Sequence, residues 1–166
     1  SLLLRALAQL SGPDTNVVLS LAGGKGITPG SPLEAEIHEL GLHDSVVLEG
    51  RVDDIASWLS SLDLFVLLSK SEGLPTVVGE AMSFAKPCLV SDVGDVKMLL
   101  SDKAQIVPSG EIRAVVDRIK YFDLLSGSER AEIGKRNQNR NFITERHVKN
   151  SMSSLVGCKP GASRSS

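Results

Sequence analysis

The feature of this sequence that most constrains its fold is a regular alternation of short apolar runs with longer amphipathic stretches. The runs are continuous and rich in Val and Leu, which is typical of parallel strands that are covered on both faces. Strands are predicted at Val17–Leu21, Val46–Leu48, Leu64–Leu68, Cys88–Val90 and Gln105–Val107. Strands that alternate with helices along a chain indicate an α/β fold with a Rossmann-like, doubly wound parallel sheet.

The stretches between these runs have helical spacing and helix-end signals. Ser31 is placed to cap a helix that begins with Pro32 and stops at Gly41. A further apolar stripe includes Trp58, which this spacing assigns to the core. Helices are predicted over Leu2–Leu10, Pro32–Leu40, Thr76–Phe84, Glu111–Leu125, Ser128–Asn141 and Glu145–Val156.

The order of the elements is unusual because the chain begins with a helix. In the common Rossmann strand order the first strand is central. Without it, the strands Val17–Leu21 and Leu64–Leu68 would flank an empty slot. We therefore expect about five strands, the first central strand being absent, in a partial domain over residues 1–156 of a fragment. The Gly/Ser-rich end, Gly157–Ser166, is expected to be a disordered tail.

Composition narrows the functional class. Apolar residues make up 42% and charged residues 23% of the 166 residues, as in soluble globular proteins. The formal net charge of -2 gives no basic field for nucleic acid. No apolar run approaches the roughly 18 residues that span a bilayer, and no signal peptide is recognised. The sequence favours a cytoplasmic location.

The segment Ser71–Glu80 is the strongest functional signal. It follows the strand Leu64–Leu68, and ligands of open parallel sheets bind outside the carboxyl ends of strands. Gly73 permits close backbone approach, and Pro75 suits the first turn of a helix. The helix that starts near Thr76 would point free N–H groups at the loop, which favours a phosphate.

Two carboxylates bracket this helix start. Glu72 and Glu80 both offer acceptor oxygens to hydroxyl pairs such as those of a ribose or a hexose. A phosphate between them would leave one sugar near each glutamate, which is the layout of a nucleoside diphosphate sugar. The plainer alternative makes Glu72 a solvated loop residue and pairs Glu80 with Lys86.

The stretch Leu62–Pro75, continuing to Glu80-Ala81-Met82, resembles the retaining glycosyltransferases of the "glycosyl transferases group 1" family, which have the GT-B fold. The flanks are similar too: Val17–Gly24 resembles the family's glycine-loop strand, and Val46–Val52 the strand and turn that line the base pocket. The resemblance covers about residues 1–156 and corresponds to the donor-binding C-terminal domain. Ala85 stands where the family often has Gly.

The resemblance implies a role for each matched residue. Glu72 would be the catalytic residue and hold the donor sugar, and Glu80 would hold the ribose. The donor sugar and phosphate would be bound by Glu72, Gly73, Leu74, Pro75, Thr76 and Val77, and the base and nucleotide loop would be formed by Gly23, Gly24, Arg51 and Val52. No cofactor and no metal are implied, because the nucleoside diphosphate sugar is itself the substrate.

The resemblance also implies partners outside this sequence. The family's diphosphate-binding Arg and Lys come from around the first strand; Lys25 is a weak substitute, and a solvated loop lysine is the simpler interpretation. Acceptor recognition would come from an N-terminal domain, which also gives a possible contact with the membrane surface. Two alternatives stay open: a non-catalytic nucleotide-sugar-binding module, and an inactive truncated remnant of the same fold.

Overall fold

A computed structural model describes residues 1–10, 17–24, 26–27, 30–70, 76–94, 96–100, 102–141 and 155–160. Its helices are α1 (Leu2–Leu10), α2 (Pro32–Glu39), α3 (Ile55–Ser60), α4 (Thr76–Ser83), α5 (Val96–Leu99), α6 (Ile112–Leu124) and α7 (Gly127–Asn141). Its strands are β1 (Val17–Ala22), β2 (Val46–Gly50), β3 (Leu64–Leu67), β4 (Cys88–Ser91), β5 (Ile106–Val107) and β6 (Leu155–Pro160). The prediction of an α/β fold with a doubly wound sheet is confirmed.

The sheet has the strand order β2-β1-β6-β3-β4-β5. β1 pairs in parallel with β2, and β4 pairs in parallel with both β3 and β5. β6 is antiparallel to both of its neighbours, β1 and β3, so those two strands also run in the same direction. The carboxyl ends of the first five strands therefore lie at one edge of the sheet, which is called the carboxyl edge below.

Strand β6 contradicts two predictions for the end of the chain. Strand β6 fills the slot between β1 and β3. It includes Leu155 and Val156 of the predicted last helix and Gly157–Pro160 of the predicted disordered tail. Backbone N–H and C=O groups on the facing edges of β1 and β3 need partners in the middle of a sheet, and the final strand supplies them. The remainder of both predicted segments, 145–154 and 161–166, lies outside the described residues.

Two apolar cores cover the two faces of the sheet. One contains side chains of α1, α2 and α6 with alternate residues of the strands, such as Leu19 and Leu89. The other contains side chains of α3, α4 and α5, such as Trp58 and Met82, with the remaining strand residues. Cys88 is fully buried in the second core, which raises the pKa of its thiol. Trp58 is thus a core residue, as predicted.

The helix ends follow the local sequence. The Ser31 side chain accepts a hydrogen bond from the Glu34 backbone N–H at the start of α2, and Pro32 is the first helical residue, as predicted. Helix α4 ends in a Schellman arrangement: the Ala85 N–H donates to the Met82 carbonyl at 2.9 Å and the Lys86 N–H to the Ala81 carbonyl at 3.1 Å.

In the described part of the chain, no helix is long and apolar enough to cross a bilayer.

Candidate functional site

The predicted nucleotide residues follow three parallel strands at the carboxyl edge. Gly23 and Gly24 come directly after β1, Arg51 and Val52 after β2, and α4 begins at Thr76 after β3. Because these strands share one direction, their carboxyl ends lie along the same edge. This is the edge where open α/β sheets bind their ligands.

The loops after β1 and β2 are joined through two glycines. The Gly23 N–H donates to the Gly50 carbonyl oxygen at 2.7 Å. Gly50 has φ 62°, in the left-handed region that favours glycine, and a Cβ there would lie 3.4 Å from the Ile27 carbonyl oxygen. The predicted glycine loop and the predicted base loop are therefore one connected backbone surface.

The loop that is predicted to contact the base, residues 50–54 and called the base loop below, exposes its charged side chains. Arg51 and Asp53 form an ion pair with an Nε–Oδ1 distance of 3.4 Å, and their side chains are 88% and 91% exposed. Val52 is half-buried against the second core. Asp54 caps α3 by accepting from the Ser57 hydroxyl at 2.6 Å and from the Ser57 N–H at 3.0 Å, and these bonds lower the pKa of its carboxyl.

Helix α4 presents its first turn at the carboxyl edge. Thr76 is its first residue, and the Val77 side chain is buried in the second core, so the Val77 backbone is the part that a ligand could contact. Glu72, Gly73, Leu74 and Pro75, which were predicted to bind sugar and phosphate, lie outside the described residues, as does Lys25.

Glu80 lies on α4 with an exposed side chain. The alternative that pairs it with Lys86 is not the observed arrangement, because the Lys86 ammonium donates to the carbonyls of Ser60 and Leu62 at 2.7 and 2.8 Å. Burial lowers the pKa of Lys86, and the negative charge of Asp63 opposes that shift. Glu80 thus keeps its carboxylate exposed in the second turn of the helix.

A cavity of about 290 Å³ lies at the same edge, between the start of α1 and the ends of β1 and β3. Its lining is almost entirely aliphatic and includes Leu2, Leu21, Ile27 and Leu68. Such a lining suits an apolar group and offers no side-chain charge to a phosphate.

In the part of the chain that the structure describes, no three His, Cys, Asp or Glu side chains are grouped to hold a metal ion.

The sequence interpretation did not single out Ser20. This residue is fully buried in β1 and bonds to side chains of two other elements. The only local signal for it is one hydroxyl in the otherwise apolar strand Val-Val-Leu-Ser-Leu-Ala. The partners, Trp58 and Glu49, are distant in sequence, so the connection depends on the fold.

Residues 1–122 match the family model described as "Glycosyl transferases group 1". This match spans the loops after β1, β2 and β3 and all of α4. The chain belongs to this family. The resemblance read from Leu62–Met82 is confirmed, and with it the GT-B type of Rossmann-like domain.

Individual relatives agree with this assignment. The lipopolysaccharide core biosynthesis mannosyltransferase LpsB of Rhizobium meliloti is 28% identical over 110 residues, which are 64% of this chain and 31% of LpsB. Among solved structures, sucrose-phosphate synthase from Thermosynechococcus elongatus has a TM-score of 0.73 and 25% identity, over 86% of this chain and 37% of that one. The chain thus spans about a third of the length of these proteins.

A third similar protein was solved with a bound nucleotide. Anabaena HepE in complex with UDP has a TM-score of 0.72 and 24% identity, over 84% of this chain and 39% of HepE. HepE has also been solved in complex with UDP-glucose. At 24% identity, this likeness shows that the two chains share a fold.

Proposed function

We propose that this chain is the donor-binding part of a glycosyltransferase that moves a hexose-type sugar from a nucleoside diphosphate sugar to a hydroxyl acceptor, with retention at the anomeric carbon. The observation that carries the proposal is the family match over residues 1–122, which includes every predicted donor residue. The carboxyl ends of β1, β2 and β3 support it by lying at one edge of the sheet.

Each part of this edge has a distinct task in the proposal. The Gly23–Gly24 turn and the Gly50–Val52 turn hold the base and the nucleoside. The first turn of α4, beginning at Thr76, offers N–H groups and the positive end of the helix dipole to the diphosphate. Glu80, exposed one turn further along, accepts from the two ribose hydroxyls, and Glu72 contacts the donor sugar.

The chemical demand of sugar transfer explains this division. The leaving diphosphate gains negative charge while the sugar becomes oxocarbenium-like, so donors aimed at the phosphate lower the barrier. In the proposal no metal ion takes part, and the acceptor is held by a second domain. The cytoplasm, at or near the membrane surface, is the proposed location.

Isothermal titration calorimetry tests the donor site on the chain itself. We expect weak binding of at least one of UDP, GDP and ADP, and unchanged affinity in the presence of EDTA. Glu80→Ala should lower the affinity for the preferred nucleotide by about tenfold, because a charge-assisted hydrogen-bond pair to the ribose is lost. A deoxyribose analogue that lacks one of the hydroxyls should lose much less affinity in Glu80→Ala than in the wild type.

Glu39→Ala is the matched control. Glu39 is also an exposed helical glutamate, but it ends α2 at the opposite edge of the sheet, so its removal should leave the affinity unchanged. Absence of binding by all three nucleotides at millimolar concentration would contradict the donor-site proposal. Equal affinities of the wild type and Glu80→Ala would contradict the ribose assignment alone.

A further inference from the structure

Three polar side chains hold the base loop at both of its ends, and the proposed donor contacts use none of them. Glu49 immediately precedes the loop, residues 50–54, and Trp58 lies in the first turn of the helix that follows it. Both bond to Ser20, in the middle of β1. A strand, the neighbouring strand and a helix are thereby connected through one hydroxyl.

The direction of this hydrogen-bond chain is fixed by chemistry. The indole Nε1–H of Trp58 can only donate, so the Ser20 Oγ accepts from it, at 2.9 Å. The single hydroxyl hydrogen of Ser20 is then left for the Glu49 carboxylate, whose Oε1 lies at 2.8 Å. Because Ser20 is 0% exposed and Trp58 only 6%, water does not readily replace either partner.

The loop between these anchors has little packing of its own. Two of its charged side chains, Arg51 and Asp53, are almost fully exposed, so they cannot fix the backbone from inside the protein. Val52, in the middle of the loop, packs half-buried against the second core, and the remaining constraints act at the ends: the Gly50 carbonyl accepts from the Gly23 N–H, and Asp54 caps α3. The conformation of the loop therefore depends on the spacing between the end of β2 and the start of α3, which the Ser20 chain sets.

We propose that Ser20 is a positioning residue for the donor base, acting through Glu49 and Trp58 on the backbone of residues 50–54. The inference rests on the proposed function, because that function assigns this loop to the base. Because Ser20 is fully buried in β1, it is not expected to touch the nucleotide itself. Its loss should change how well the loop fits the base and leave the phosphate and ribose contacts intact.

A first measurement needs no ligand and compares backbone amide chemical shifts and hydrogen exchange of Ser20→Ala with the wild type. The control is Asn137→Ala, which breaks another buried side-chain pair, the Asn137–Gln105 amides, at the opposite edge of the sheet. We expect the amides of Arg51, Val52 and Asp53 to shift and exchange faster in Ser20→Ala and to be unchanged in Asn137→Ala. A base loop unchanged in Ser20→Ala overturns the inference, whether or not a nucleotide binds.

The second measurement compares the preferred nucleoside diphosphate with ribose 5-phosphate, which lacks the base. Ser20→Ala should bind the nucleotide about tenfold more weakly, the equivalent of one well-placed hydrogen bond, and bind ribose 5-phosphate as the wild type does. Glu49→Gln, which keeps an acceptor oxygen for Ser20, should retain most of the affinity. Trp58→Phe, which keeps an aromatic ring in the core, is the substitute variant if Ser20→Ala does not fold. It should likewise lose affinity for the nucleotide and keep its affinity for ribose 5-phosphate.

The two proposals fail in different ways. If the wild type binds no nucleoside diphosphate, the proposed function fails and the amide measurement still decides the positioning role. If the wild type binds but Ser20→Ala loses affinity equally for both ligands, or no more than Asn137→Ala does, the serine has a general structural role and the inference is wrong.

Discussion

At the scale of single residues, Ala85 is strained by its place in the fold. It follows the last turn of α4 with φ 52°, a left-handed conformation that costs an L-residue about 1–2 kcal/mol. The Schellman bonds at the end of α4 require this conformation, and glycine would adopt it freely. Position 85, where the family often has Gly, thus has a backbone conformation that favours Gly.

Ala85→Gly should therefore stabilise the protein. The relief of left-handed strain exceeds the roughly 0.4–1 kcal/mol by which glycine favours the unfolded chain, which leaves a net gain of about 0.5–1 kcal/mol. Urea unfolding monitored by Trp58 fluorescence measures it. Ala131→Gly, at an exposed position inside α7, is the control and should instead destabilise by about 1 kcal/mol. A loss of stability in Ala85→Gly would contradict the assigned helix end.

The proposed site residues differ in how far they could be predicted from the sequence. The sequence predicts Thr76 and Glu80 on one helix, because Pro75 and the spacing that follows it mark a helix start, and α4 does begin at Thr76. The bond between Gly23 and Gly50 and the bonds of Ser20 could not be predicted, because each joins residues that are distant in sequence and become neighbours only through strand pairing.

At the scale of elements, α7 packs so closely on the end of α4 that one position must be glycine. A Cβ on Gly134 would lie 1.7 Å from the Ala85 carbonyl oxygen, which is backbone and cannot rotate away. The Gln138 and Asn137 amides donate to the carbonyls of Ser83 and Lys86, so the two helices are also joined by hydrogen bonds.

Gly134→Ala should therefore separate the two helices. We expect a loss of about 3 kcal/mol in the free energy of unfolding, at the upper end of typical overpacking costs, since a backbone atom must move. Thermal or urea unfolding gives the value. Gly127→Ala, where a Cβ would meet nothing within 4 Å, provides the comparison and should be nearly neutral. Similar stabilities of the two variants would show that α7 does not pack as described.

Most elements could be predicted because their signals are local. The apolar runs that became β1 to β4 are long enough and rich enough in Val and Leu to identify themselves, and Ser31 and Pro32 mark the start of α2. Strand β6 has no such signal: it contains Gly157, Lys159 and Pro160, which are poor strand residues. Its conformation comes from the unpaired edges of β1 and β3, a tertiary effect that overrides local preference.

At the scale of the whole molecule, β6 joins the two halves of the sheet. It pairs with β1 on one side and β3 on the other, so both halves depend on its placement. The strand approaches the second core at Gly157, where a Cβ would lie 2.2 Å from Leu62 Cδ1. The glycine therefore fits the strand to the leucine beneath it.

Gly157→Ala should loosen the centre of the sheet. We expect lower stability, by about 1–3 kcal/mol as for other overpacked cores, and faster amide exchange in β1 and β3. In a Leu62→Ala background the same change should cost little, because the clashing side chain is gone. A neutral Gly157→Ala in the wild-type background would mean that β6 does not lie against Leu62.

In the proposed function, the carboxyl edge of this sheet binds a nucleoside diphosphate sugar. The most direct measurement is a titration of the isotope-labelled chain with UDP-glucose and GDP-mannose, followed by backbone amide chemical shifts. We expect at least one donor to shift the amide resonances of Gly23, Arg51, Val52 and Thr76, while those of Gly41 and Ala85 at the opposite edge stay unchanged. Shifts confined to the opposite edge, or none at saturating donor, would contradict the proposed function.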